Sequence, residues 1–236
     1  MTASSIQIEE HHWVIKDWLC HKHITLMAGP SGIGKTILAI KLIAHITTGM
    51  PLDDGTPIEV GEVLAWLSED VPETTLVPNL MAHGANLDKV HFPDQAKILD
   101  EKTGKMVPVP FNPARHILYL SHYLDKRPGV TLLVLDPILA LANDQPNSHN
   151  TNQIRVAIEP LKKLCKDRGI ACLGITHFLK RHNASGSTVQ DRIIGSQAWV
   201  AVCRIITAMD WMQGERRGWL RVPGTNIARP RDGWEY

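Results

Sequence analysis

Eight consecutive residues constrain this chain more than any other stretch of it: Gly29-Pro30-Ser31-Gly32-Ile33-Gly34-Lys35-Thr36. They fit the pattern GxxxxGK[ST]. They follow the apolar run 24–28 and lead into 36–47, where Ile37, Ile40 and Ala44 recur at helical spacing. A buried strand, a glycine turn and a helix are therefore expected in direct succession. Glycines let backbone N–H groups converge on an anion with no Cβ in the way, and the start of the helix aims its positive end at the same point. In such a loop Gly29, Pro30, Ser31, Gly32, Ile33 and Gly34 wrap the phosphates. Lys35 reaches the β- and γ-phosphates, and the Thr36 hydroxyl ligates Mg²⁺. A chance match in a chain of this length has a probability on the order of 1%. The segment is read as a nucleoside-triphosphate site, with ATP and Mg²⁺ as the expected cofactors.

Such a site needs an acid at the end of a buried strand, and the run 131–135 (TLLVL) followed by Asp136 supplies one. In open α/β sheets ligands bind outside the carboxyl ends of the strands, so Asp136 is expected beside the phosphate loop as the second Mg²⁺ ligand. Further apolar strands are expected at 63–67, 89–92 and 170–175, and helices at 73–84, 114–126 and 153–167. Residues 96–112 read as a loop or hairpin, and 202–208 with 219–222 as antiparallel strands at the end of the chain. Alternation of apolar strands with helices predicts an α/β fold: a mostly parallel central sheet with helices on both faces. No repeat or linker interrupts 1–236, so one domain is expected, with its core at about 13–227.

Composition closes off several other classes. Hydrophobic residues make up 44% and charged residues 21%, which excludes a disordered or low-complexity chain. Lys+Arg 25 against Asp+Glu 24 leaves a net charge of +1, so any polyanion surface must be a local patch. No stretch approaches the ~20 apolar residues of a membrane span. The four scattered cysteines carry no CxxC pair, and the N-terminus lacks the layout of a signal peptide. A reduced, cytoplasmic protein is expected. His11, His12, His21 and His23 surround Cys20 without the HExxH or paired-cysteine spacing of a zinc site, and read as surface residues near the first strand.

Beyond the phosphate loop, four segments carry a family resemblance. No NKxD-like guanine-reading motif and no LSGGQ occurs. The strand 63–67 is followed by Ser68-Glu69-Asp70, which resembles the strand and Ser-x-Glu-Asp segment of RecA-fold hexameric ATPases, here shortened to Ser-Glu-Asp. Gly174-Ile175-Thr176-His177 is similar to that group's strand ending in Thr-His. The block Asp191-Arg192-Ile193-Ile194-Gly195-Ser196-Gln197-Ala198, followed by Arg204, resembles its D-R-x-x-G-S-x-A…R pattern. The likeness is to the RepA-like replicative helicases and their AAA-labelled kin, and it covers roughly 13–227. It implies a RecA-like P-loop NTPase fold. Glu69 is then the activator of the attacking water, His177 the γ-phosphate sensor, and Arg204 an arginine finger inserted into the neighbouring subunit's site. A carboxylate at the tip of the strand neighbouring the phosphate loop would sit about one water from the γ-phosphate, which agrees with that role for Glu69. Helix capping is the competing use of Glu69 and Asp70. One departure stands out: Gly224 occupies the place of a lysine common in the family, so a second cation acting in trans is missing or replaced by Arg221.

The resemblance implies a homo-oligomer, a hexameric ring, whose loops 143–152 and 180–192 face single-stranded DNA, with Lys180, Arg181 and Arg192 on its phosphates. From His177 to Tyr236 nine basic residues stand against five acidic ones, the one electrostatic hint of such a surface. The rival expectation is an ATP-driven protein switch or assembly factor without DNA translocation, and a weaker one a degenerate ATP-binding scaffold.

Overall fold

The computed structural model describes residues 2–93, 95–100, 103–142, 151–178, 192, 199, 201–212, 218–227 and 231–235. In chain order the strands and helices are β1 (Trp13–Ile15), β2 (Leu19–Cys20), β3 (Ile24–Gly29), α1 (Lys35–Thr48), β4 (Glu62–Leu67), α2 (Val77–Ala82), β5 (Val90–His91), β6 (Gln95–Asp100), β7 (Lys105–Pro110), α3 (Ile117–Asp125), β8 (Val130–Asp136), α4 (Thr151–Arg168), β9 (Ala171–His177), β10 (Ile205–Trp211), β11 (Gly218–Thr225) and β12 (Arg231–Glu235). The main sheet has eight strands in the order β12-β11-β10-β3-β9-β8-β4-β5. From β10 to β5 every pairing is parallel. Strand β11 pairs antiparallel with β10, as expected for 202–208 and 219–222, and β12, for which no strand was expected, adds antiparallel beyond it.

Alternation along the strands sends successive side chains into two separate layers. On β8, Leu132 and Val134 pack with Ile40 and Ile43 of α1 and Leu80 of α2. Leu133 and Leu135 pack with Leu120 of α3 and Ile158 and Leu161 of α4. Both faces of the central strands are thus buried, which is why they read as unbroken apolar runs. Among the described residues no helix is long and apolar enough to cross a membrane.

Several local expectations shift for identifiable reasons. The helix expected over 73–84 divides into a single wide turn at Pro72–Leu76 and α2, with Pro78 in the first turn of α2, where a missing N–H costs nothing. Pro160 lies within α4, on its exposed face, where water can serve the carbonyl left without a partner at Val156. Residues 95–110 form the hairpin of β6 and β7. The β1–β2 ribbon was not legible in the sequence. It is only five paired residues long, and its turn needs Asp17 at φ 60°, a position that favours glycine or asparagine. Thr151 and Asn152 open α4 instead of closing the expected loop, and the rest of 143–152 lies outside the described residues.

A nucleotide cleft at the carboxyl edge of the sheet

Register places the chemistry along one edge. Gly29 pairs with His177 across β3 and β9, and Leu67 pairs with Asp136 across β4 and β8. Ser68 closes that row, its N–H and hydroxyl both donating to the Asp136 carbonyl at 3.0 and 3.2 Å. The next residues, Glu69 and Asp70, line a cleft of about 320 Å³ with Ser31, Gly32, Gly34, Lys35, Thr36, Thr75, Asp136 and His177. Strands β9 and β8 lie between β3 and β4, so the Glu69 strand is not the neighbour of the phosphate-loop strand. Topology alone corrects that expectation, since the crossovers leading to β8 and β9 fill the gap. Glu69 still reaches the cleft because it stands beyond the strand end.

The loop has the conformation its glycines permit. Gly32 and Gly34 have φ of 77° and 96°, left-handed values that disfavour any residue with a Cβ. Gly29 is required for a different reason: a Cβ there would lie 2.8 Å from the carbonyl oxygen of Met209 on β10. Gly34 precedes α1 with no side-chain cap, and no acidic residue stands in the first turn. The first N–H groups of this 14-residue helix are therefore left uncapped by any side chain of α1 itself.

Lys35 is 5% exposed. Its ammonium donates to the carbonyl oxygens of Gly29 at 3.0 Å and Pro30 at 2.7 Å, and lies 3.1 Å from His177 Nδ1. An ammonium has only protons to give, so Nδ1 accepts and a neutral ring carries its proton on Nε2. Burial holds the Lys35 ammonium below its ordinary pKa, against the pull of Asp136 and Glu69. Burial, then the charge of Lys35, lowers His177 as well. Thr36 Oγ1 donates to Asp136 Oδ2 at 2.9 Å. Asp136 is 3% exposed, and burial pushes its carboxyl up to about 6, the Thr36 hydrogen bond working the other way. A buried carboxylate beside a threonine hydroxyl is a hard-oxygen pair of the kind Mg²⁺ takes. The capping alternative fails for the turns that follow, since neither Pro72–Leu76 nor α2 has a side-chain cap.

The remaining expected residues are spread apart. Arg192 donates to Asp210 at 2.5 Å and stacks 4.4 Å above the Phe178 ring, both partners near the same carboxyl edge. Its charge is engaged within the fold. Asp210 was not singled out in the sequence, because the pair forms only once β10 lies beside β3. Arg192→Ala is expected to lower stability by about 1–2 kcal/mol, since it strands a largely buried carboxylate, measured as a shift of the urea midpoint at unchanged slope. Arg204 is exposed and lies at the opposite end of the sheet: its N–H donates to the carbonyl of Ile24, the first residue of β3. Lys180 and Arg181 lie outside the described residues. Ser68 and Thr75 belong to the cleft region, and no motif singled either out as a site residue. A second, more apolar cavity of about 410 Å³ adjoins it, sharing Gly34 and Ile37 and lined by Trp18, Leu42, Met209 and Leu220.

Comparison with known proteins agrees with this geometry. None of the curated proteins matches the chain. A family model described as an AAA domain, AAA_25, matches residues 2–183, well over half of the chain and the whole span from the N-terminal ribbon through the phosphate loop, Asp136 and His177. The chain belongs to this AAA-domain family of P-loop ATPases.

Proposed function

We propose that the chain is a Mg²⁺-dependent ATPase that works as a homo-oligomeric ring, a hexamer in the RepA-like manner, and couples ATP turnover to movement along single-stranded DNA. The observation that carries the hydrolytic part is the Thr36–Asp136 hydrogen bond beside the buried Lys35 ammonium. Three carboxylates line this cleft against one ammonium, and a triphosphate adds more negative charge, so a divalent cation is needed to bring the two together. Thr36 and Asp136 would hold Mg²⁺, which screens the β- and γ-phosphate oxygens. Lys35 leaves the loop carbonyls for those phosphates. Glu69 takes a proton from the attacking water, and His177, neutral with Nε2–H outward, donates to the γ-phosphate and reports its presence to Lys35. The adjoining apolar cavity offers the nucleobase a seat next to the phosphates.

Glu69→Gln is expected to keep ATP bound while phosphate release falls at least ~10²-fold, because the amide keeps the shape and loses the base. Normal turnover in that variant, with loss in Asp70→Asn, would assign the role to Asp70.

What supports the ring is the place of Arg204, free of its own cleft and exposed at the far end of the sheet. DNA contact then rests on Lys180 and Arg181, while Arg192 is held by Asp210. The engagement of Arg192 by Asp210 favours a second reading, the ATP-driven protein switch, because it removes one cation from the DNA surface. Steady-state ATPase at low salt, with and without single-stranded DNA, separates them. Translocation requires stimulation that weakens steeply with salt. An unresponsive ATPase in a verified oligomer leaves the switch.

A further inference from the structure

At the end of the sheet opposite the nucleotide cleft, three side chains from three separate segments converge. His11 comes from the N-terminal stretch, Cys20 from β2, and His23 from the turn into β3. One ligand atom of each, the Cys20 sulfur and one ring nitrogen of each histidine, lies within 4.8 Å of the other two. The two imidazole rings stand edge to face with centroids 5.5 Å apart. Cys20 is 1% exposed, and its thiol has one modest hydrogen bond, to the His12 carbonyl at 3.3 Å. His23 is half-buried and His11 exposed, so the trio opens from a buried sulfur towards solvent.

We propose that His11, Cys20 and His23 form a binding site for a zinc-class divalent cation that fastens the N-terminal segment to the base of the sheet. A thiolate with two imidazoles is a donor set of zinc type, three protein ligands with the fourth position open to solvent. Tetrahedral bond lengths put such ligand atoms roughly 3.4–3.6 Å apart, so atoms within 4.8 Å of one another need close by at most roughly 1.4 Å. The exposed His11 has the most room to make that adjustment. Burial pushes the Cys20 thiol up to about 11, so the cation binds by displacing its proton.

The frame holding two of the ligands is fixed by backbone hydrogen bonds. His21 N–H donates to the His12 carbonyl at 2.9 Å, Lys22 N–H to Ile170 at 2.9 Å, and Cys172 N–H to His23 at 3.0 Å. Residues 2–12 are exposed throughout, and among the interactions described for them the Lys22–Glu9 ion pair is a surface contact of little strength. A metal bond from His11 to a buried sulfur gives that segment the anchor its own apolar residues do not. Cys20 and His23 stand only three residues apart, but the spacing to His11 matches no zinc motif, and all three meet only when β1 and β2 fold back against β3.

The test uses the untagged full chain, freed of metal and titrated with Zn²⁺ and with Co²⁺ as its spectroscopic stand-in. One equivalent should bind. Co²⁺ should show a thiolate charge-transfer band in the near ultraviolet with the strong visible bands of a tetrahedral site. Zn²⁺ should slow proteolysis within residues 2–12. His11→Ala, a change at an exposed position, should weaken binding by roughly a hundredfold or more, and His23→Ala likewise. His122→Ala, on the exposed side of α3, should bind as the parent does. Cys20→Ser should abolish the charge-transfer band, and should that variant fail to fold, the two histidine variants decide. A missing band, a band that survives in Cys20→Ser, binding unchanged in His11→Ala, or equal loss in His122→Ala overturns the proposal.

Discussion

Lys35→Ala is expected to abolish nucleotide binding and to bring phosphate release down to background, so that a fluorescent ATP analogue titrated against the variant should show no saturable signal. The Lys35 ammonium sits among the Gly29 and Pro30 carbonyls and His177 Nδ1, positioned at the mouth of the loop but held by neutral acceptors. A triphosphate offers a charged acceptor in place of two carbonyls, and charge-assisted hydrogen bonds are roughly twice as strong as neutral ones. Alanine removes that gain and leaves Glu69, Asp70 and Asp136 facing the phosphates with the helix N-terminus alone against them. The fold survives, because alanine is the best helix former at the start of α1 and the buried Asp136 carboxylate keeps its hydrogen bond from Thr36. Circular dichroism and the urea midpoint therefore stay close to the parent while function is lost. Parent-like turnover in this variant would sink the assignment of the cleft.

The parts of this site that were legible in the sequence are those in which local chemistry dictates structure. Gly32 and Gly34 must be glycine for the loop to turn. The runs 24–28, 131–135 and 170–175 are apolar throughout because both faces of those strands are covered. From them the phosphate loop, Asp136 and the parallel sheet followed directly. Strand order was not legible, since nothing in 63–67 says that β9 and β8 will lie between it and β3. That is why Glu69 was expected two strands too near. Pairings between distant segments escaped for the same reason. Arg192 reads as a free cation until β10 brings Asp210 to it, and His11 and His23 read as surface residues around Cys20, without the spacing of a zinc motif, until the β1–β2 ribbon closes. Arg204, by contrast, stands at the head of an apolar run that is legible as a strand. Arg204 is exposed at the start of β10, where the side chains that follow are buried.

Arg204→Ala is expected to bind ATP normally and to lose hydrolysis by ~10³-fold or more if the residue completes a neighbour's site. Its own cleft is out of reach. Arg204 is level with Ile24, and Gly29 lies five strand residues further on, roughly 16 Å at ~3.3 Å each. Nothing in the loop geometry, the Thr36–Asp136 pair or the Lys35 contacts depends on it, so equilibrium ATP binding reports an intact pocket. Mixing experiments then separate action in trans from a purely local role. Lys35→Ala subunits retain Arg204, and Arg204→Ala subunits retain a competent cleft. Co-assembled, they place a functional arginine against a functional cleft at some of their interfaces. Activity should reappear in the mixture and rise with the Lys35→Ala share before it falls again. Mixed assemblies, verified by mass, that stay inactive at every ratio would show that Arg204 acts only within its own subunit's structure. Arg221→Ala serves as the parallel variant. Its guanidinium lies 4.8 Å over the Trp219 ring on β11, so an equal loss there with Arg204→Ala unaffected would move the finger to β11.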